Sequence, residues 1–196
     1  MITEVRNFLP VNYLRDIQNY VTNDLTWAYS SDTTYVNKLD IGMGDKHMSA
    51  LIIPNLFANP EQNKYSFLYP ILYIMEEKFG VVMKRINRFK VNMTFCYSQS
   101  YTSPAWHIDD VEPNSRSMIL YVNDSDGDTI IVNSKETKEN FHIITDDERA
   151  ALSSMEKTVS KFEQNKAIIF DSNLYHYGEL PKFHKNRVVM NIIFGV

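Results

Sequence analysis

The chain has five histidines, and one of them stands in the stretch PAWHIDD, residues 104–110. On a β-strand, residues i and i+2 point to the same face, about 6–7 Å apart at Cα. His107 and Asp109 could therefore both reach one metal ion with little backbone adjustment. Taken alone, the pair is also an ordinary surface His and Asp on a strand. A centre of two imidazoles and one carboxylate needs a second histidine from another strand. The segment NKAIIFDSNLYHYGEL (165–180) offers one. There an apolar run, Ala167 to Phe170, leads into a turn at Asp171-Ser172-Asn173, and a short strand then carries His176. Arg187 follows at the opening of the next apolar strand. With a single cysteine, Cys96, no thiolate zinc site is available. His and carboxylate ligands point to harder metals and non-haem iron. His47, His142 and His184 lack partners at ligand spacing and are read as non-ligands, with His184 expected on the surface beside Lys182 and Lys185. Trp106 points away from His107 and is expected to pack in the core.

Strands are needed to position these groups, and the hydrophobic pattern contains them. After Gly80 the period becomes two: VMKRINRFKVNMTFCY (82–97) is rich in strand formers and alternates apolar with polar residues. Further strands are expected around 105–109, 117–122, 128–132, 139–143, 166–170, 174–177 and 187–194. NDSDGD (123–128) is a hairpin signal. Ahead of Gly80 two helices are expected. One covers 10–24, with Pro10 near its start and Leu14, Ile17, Tyr20 and Val21 at helical spacing. The other covers 65–78, with Phe67, Ile71, Ile74 and Met75 inward and Gly80 ending it. Residues 30–63 read as loop-rich. Thr145 and Glu148 form a capping box before a third helix, in RAALSSM. Helices first and short strands afterwards predict a mainly β fold with flanking helices. The expected architecture is a double-stranded β-helix, or jelly roll, over 81–196, with the helices of 1–80 packed outside it in one domain spanning 1–196. Strands and helices do not alternate as a doubly wound sheet requires, and the six glycines form no GxGxxG phosphate loop.

Composition sets outer bounds. An apolar fraction of 44% and an aromatic fraction of 13% supply a core and argue against disorder. A net charge of −4 gives no general attraction to nucleic acid. Lys84, Arg85, Arg88 and Lys90 form a local basic stretch, either a binding face or a solvated strand edge. The lone cysteine fits a reducing compartment. MITEVRNFLP lacks the apolar region of a signal peptide, and no apolar run reaches membrane-spanning length. The expectation is a cytoplasmic protein, in a host cytoplasm if the chain is viral, with no membrane partner.

The order HxD, then His after roughly 60 to 70 residues, then Arg about ten residues later, resembles the 2-oxoglutarate/Fe(II)-dependent oxygenases. The segments WHIDD, SMILYVNDSDGDTIIV and NKAIIFDSNLYHYGELPKFHKNRVVMNIIF are similar in particular to the small prolyl-4-hydroxylase-like enzymes of phages and bacteria. The likeness covers about residues 84–196, and the first 80 match only loosely. It implies Fe(II) held by His107, Asp109 and His176, with 2-oxoglutarate and dioxygen at the open positions and ascorbate as a stimulant. It also implies that Arg187 anchors the distal carboxylate of 2-oxoglutarate, a role suited to the paired N–H bonds of a guanidinium. The alternative for Arg187 is a surface residue among the charges of KFHKNR. Tyr121 and Tyr97 stand where this group often has tyrosines that reach the cosubstrate. Tyr121 is otherwise a core aromatic. Asn191, on the same face of its strand as Arg187, needs hydrogen-bond partners within VVMNIIF, which a cosubstrate carboxylate would supply. Asn92, and Thr129 in a Gly-x-Thr turn, are expected to be structural.

The activity so implied is hydroxylation of an unactivated C–H bond, coupled to decarboxylation of 2-oxoglutarate to succinate. A peptidyl residue such as proline is the first substrate class by likeness. A free amino acid or small metabolite is second and a nucleobase third. The expected entrance segments are 98–105 and 133–165, the latter long enough to be a lid. Neither carries the basic, aromatic stripe that stacks bases, so nucleic acid is not favoured. A different class is a non-oxidative, cupin-like metal-binding module, which would not need Arg187.

Overall fold

A computed structural model of the chain describes residues 2–30, 47–53, 65–96, 106–134 and 145–196. The elements in order are β1 (Thr3–Val5), α1 (Val11–Asn23), β2 (Ala28–Ser30), β3 (His47–Ile53), α2 (Pro70–Phe79), β4 (Arg85–Phe95), β5 (Ser115–Tyr121), β6 (Thr129–Val132), α3 (Asp146–Ser154), β7 (Lys157–Ser160), β8 (Ala167–Asp171), β9 (His176–Gly178) and β10 (Asn186–Gly195). The strands form two antiparallel sheets. The major one has seven strands in the order β1-β8-β5-β10-β4-β3-β2, and the minor one has three in the order β7-β6-β9. The jelly-roll expectation holds: two β layers face each other, with helices on the outside. Among the described residues no helix is long and apolar enough to cross a membrane.

Strand alternation sorts the side chains into three apolar layers. On β10, Val188, Met190, Ile192 and Phe194 face outward and join Phe89 and Val91 of β4 under α1 and α2. Helix α1 contributes Leu14, Ile17 and Val21, and α2 contributes Ile71, Leu72 and Met75. The opposite faces meet between the sheets, where Ile119, Tyr121, Ile168, Phe170 and Val189 pack against Ile131 of the minor sheet. A third cluster, Trp106, Ile130, Val132 and Leu152, places α3 on the outer side of the minor sheet. Trp106 is core, as expected: its ring meets Tyr177 edge-on at 4.5 Å.

Some expectations need correction. The second helix begins at Pro70 rather than 65, after a 3₁₀ turn over 65–68. Proline at the first helical position lacks the N–H that an earlier start would need. Gly80 closes this helix in the left-handed conformation, with φ 63°. The stretch expected as a strand at 105–109 contains one isolated bridge, between His107 and His176. NDSDGD does not close a hairpin, because β5 and β6 belong to different sheets and 123–128 carries the chain across. Its polar side chains tie down other loops: Asp126 accepts from the Lys182 and Phe183 N–H groups at 3.0 Å. His184 is half-buried rather than exposed, 3.0 Å from the same carboxylate. The 133–165 segment is built into the fold where it is described. Its helix α3 starts with the expected Thr145–Glu148 capping box, and β7 pairs along β6. Strands β1, β2 and β3, all from the first 80 residues, extend the major sheet. The strand expected at 139–143, and His142 within it, lie outside the described residues.

Candidate metal centre

The site forms where the two sheets are bridged. His176 opens β9, and its backbone exchanges two hydrogen bonds with His107, at 3.0 and 2.9 Å. The Asp109 N–H donates to the Ser172 carbonyl at 2.9 Å. These bonds bring His107, Asp109 and His176 together, so that one ligand atom from each lies within 4.8 Å of the others. His176 and Asp109 are buried, and His107 is half-buried.

Imidazole chemistry fixes the proton on His176. Its Nδ1 lies 2.9 Å from the Leu174 carbonyl, which can only accept, so Nδ1 carries the hydrogen. That leaves the Nε2 lone pair directed inward, buried and without a hydrogen-bond partner among the described residues. It lies 3.5 Å from Asp109 Oδ2. Two electron-rich atoms buried this close call for a cation between or beside them. A divalent metal fits, and the Nδ1 contact is the usual outer support of a metal-ligating histidine.

Asp109 is held from three directions. Ser117 Oγ donates to Oδ2 at 2.7 Å, Arg88 Nη2 donates to Oδ1 at 2.7 Å, and Asn191 Nδ2 reaches both oxygens at 3.2 and 3.3 Å. Burial pushes the carboxyl up, but positive charge at the His176 position, then Arg88 and His107, holds it well below the usual carboxylate range; with His176 neutral, a bound cation would supply that charge. Alternation with Phe89 turns Arg88 toward Asp109, and just beyond Arg88 the register shifts between Ile193 and Phe194 of β10, which pair with Arg88 and Ile86. The extra residue on β4 is Asn87, which turns to the same end and donates to Asp110 at 2.6 Å. Bulges re-aim side chains in this way next to functional sites.

Arg187 lies two inward positions from Asn191 along β10, about 13 Å at the usual strand rise. It is buried, and the fold is shaped around it. Nε donates to the Gly127 carbonyl at 2.8 Å and Nη2 to Thr129 Oγ1 at 2.9 Å. A Cβ on Gly178 would stand 2.8 Å from its Cζ, and one on Gly127 would stand 2.7 Å from its Cδ. The Gly-x-Thr turn and Gly178 thus form a cradle for the guanidinium. Tyr121 is fully buried beside it, stacked on Phe162 at 4.4 Å, with its ring 6.0 Å from Arg187 Cζ. Its hydroxyl lies 3.4 Å from the Ser160 carbonyl. Tyr97 is outside the described residues. Arg88 and Ser117 are site residues that sequence reasoning passes over. The only signal for Arg88 was its place in a basic stretch, and Ser117 had none.

No family model matches the chain, and no curated protein matches it in sequence. Solved structures do match. A 2OG-Fe(II) oxygenase family oxidoreductase from Burkholderia pseudomallei aligns over 99% of this chain and 85% of its own, with TM-score 0.65 and 12% identity. The fold is that of the 2-oxoglutarate/Fe(II) oxygenases. A Pseudomonas putida prolyl-4-hydroxylase aligns over 100% of this chain and 92% of its own, with TM-score 0.53 and 12% identity. The epimerase SnoN, in complex with Fe3+, alpha ketoglutarate and nogalamycin RO, aligns over 99% and 78%, with TM-score 0.62 and 9% identity.

Proposed function

We propose that the protein is a 2-oxoglutarate- and Fe(II)-dependent dioxygenase that hydroxylates an unactivated C–H bond. The observation that carries this reading is the buried His176 Nε2, without a hydrogen-bond partner among the described residues, in a cluster with His107 and Asp109. His107, Asp109 and His176 would hold Fe(II), and Arg187 would hold the distal carboxylate of 2-oxoglutarate. When bound, the metal supplies the redox chemistry that couples decarboxylation of 2-oxoglutarate to oxidation of the substrate.

The chain's own residues prepare the site. The Leu174 carbonyl keeps the His176 proton on Nδ1. Ser117, Arg88 and Asn191 fix the orientation of Asp109. Gly127 and Thr129 aim Arg187, and Tyr121, Asn191 and Tyr97 are assigned to the cosubstrate pocket with it. Phe170 lies edge-on against His176 at 4.8 Å and helps exclude water. A peptidyl residue such as proline is the first substrate class to test, supported by the likeness to a prolyl-4-hydroxylase. Free amino acids and small metabolites follow, then nucleobases.

Protein loaded with Fe(II) and supplied with ascorbate is expected to convert 2-oxoglutarate to succinate slowly without substrate, as read by proton NMR. No turnover, together with no binding of 2-oxoglutarate to the metal-loaded protein, would defeat the proposal and favour a plain metal-binding module. A search for products heavier by one oxygen atom, among peptides, amino acids and oligonucleotides, then identifies the substrate.

A further inference from the structure

The basic stretch Lys84, Arg85, Arg88 and Lys90 is not accounted for by metal and cosubstrate. On β4, Phe89 and Val91 belong to the core under the helices. Arg88, Lys90, Asn92 and Thr94 therefore face the space between the sheets. Their register on β10 is Arg88 opposite Ile193, Lys90 opposite Asn191, Asn92 opposite Val189 and Thr94 opposite Arg187. This polar row runs beside the line from the metal ligands to the cosubstrate arginine, one strand away.

The row contains donors and acceptors without hydrogen-bond partners among the described residues. Arg88 spends Nη2 on Asp109, but its Nε is buried and unbonded. Asn92 Oδ1 and Thr94 Oγ1 are also buried and unbonded. Lys90 feels Arg88 and Asp109 through space, yet among the described residues Asp109 forms its ion pair with Arg88, not with Lys90. Burial first, then repulsion from Arg88, lowers the Lys90 pKa against the pull of Asp109. Along this face Arg88, Lys90 and Arg187 set three cations against the single carboxylate of Asp109. A bound divalent metal and a cosubstrate dianion would cancel each other, so the surplus of positive charge would remain. An open groove of about 720 Å³ is lined by Lys84 at the surface and by Arg88 and Asp109; Lys90 is outside its lining and stands one inward position beyond Arg88 on β4. The groove's other acids are engaged: Glu112 by Arg85 and Asp110 by Asn87, both at 2.6 Å.

We propose that Lys90, with Arg88 beside it, binds a carboxylate of the primary substrate, so that the substrate is an acidic molecule or an acidic side chain. This rests on the oxygenase reading and adds the substrate class. One ammonium and one guanidinium edge match the two oxygens of a singly charged carboxylate. Phosphate sites usually draw on helix N-termini or backbone nests, and no helix start lines this groove.

The test uses the full chain loaded with Mn(II) and saturated with 2-oxoglutarate. Acetate is the probe, followed by paramagnetic relaxation of its methyl protons. The wild type is expected to give saturable enhancement. Lys90→Met should weaken acetate binding about tenfold, and Lys90→Arg should retain most of it. Calorimetric affinities for Mn(II) and 2-oxoglutarate should stay within about twofold in both variants. The proposal is overturned if the wild type shows no saturable enhancement, or if Lys90→Met binds acetate unchanged. It is also overturned if Lys90→Met loses 2-oxoglutarate instead, or if methyl phosphate outcompetes acetate. Should Lys90→Met fail to fold by circular dichroism, Lys90→Gln replaces it. Failure of the wild type to bind metal and 2-oxoglutarate at all would instead sink the oxygenase reading.

Discussion

At the scale of single residues, the proposed reading divides the site into two poles with separable duties. His176 presents one buried lone pair that no hydrogen-bond donor among the described residues receives. Its loss in His176→Ala should lower Fe(II) or Mn(II) affinity about a hundredfold or more, beyond the effect of removing an outer support. Arg187→Ala should leave metal affinity in place and weaken 2-oxoglutarate binding by about two orders of magnitude, as expected when one partner of a buried charge pair is removed. Titration calorimetry of both variants with both ligands checks the pair, and matching losses in both titrations would contradict the division. The residues at these poles could be named from the sequence through the spacing that resembles the oxygenases, and the structure brings His107, Asp109 and His176 together. Arg88 and Ser117 could not be so named. Both act on Asp109 from strands whose pairing and bulge appear only in three dimensions.

Secondary elements decide how firmly those poles are set. Strand β9 has three residues, yet it carries His176 at one end and Gly178 at the other. Gly178 stands opposite Thr129 in the pairing with β6. Gly178→Ala would put a methyl group 2.8 Å from the Arg187 Cζ. Overpacking of this kind should destabilise the protein by about 1–3 kcal/mol and impair 2-oxoglutarate binding more than metal binding, as read by thermal melts and calorimetry. The crossing loop gives a pH prediction. Burial opposes ionisation of Asp126, but backbone N–H donors from Lys182 onward and His184 win and depress its pKa. A carboxylate with a depressed folded pKa stabilises above its unfolded value and loses that contribution as pH falls through the folded one. The melting temperature of the wild type should therefore fall more steeply below about pH 4 than that of Asp126→Asn. Equal acid slopes would refute the anchoring role. The long strands β4, β5 and β10 were legible from their alternating or apolar patterns, but β3, inside the stretch 30–63 read as loop-rich, was not. The short edge strands β1, β2 and β7 and the single bridge at His107 were not, since three or four residues hold too few alternations to register.

Taken whole, the molecule is two sheets sharing one site. Asn191 and Arg187 stand on β10 of the major sheet, and His176 and Thr129 belong to the minor one. A ligand bound between them should brace one layer against the other. With each ligand at about a hundred times its dissociation constant, binding contributes about 2.7 kcal/mol, or roughly 5–10 °C for a chain of this size. Adding a chelator to the metal- and 2-oxoglutarate-loaded protein should lower the melting temperature by that order in differential scanning fluorimetry, and an unchanged melt would exclude occupancy. One consequence comes from β9 again. The residue that grips the metal and the glycine that makes room for the guanidinium are two positions apart on the same short ribbon. On the proposed reading, the two ends of the pocket cannot slide independently, so the protein works as a gauge. A keto diacid one carbon shorter or longer than 2-oxoglutarate would find one end out of reach.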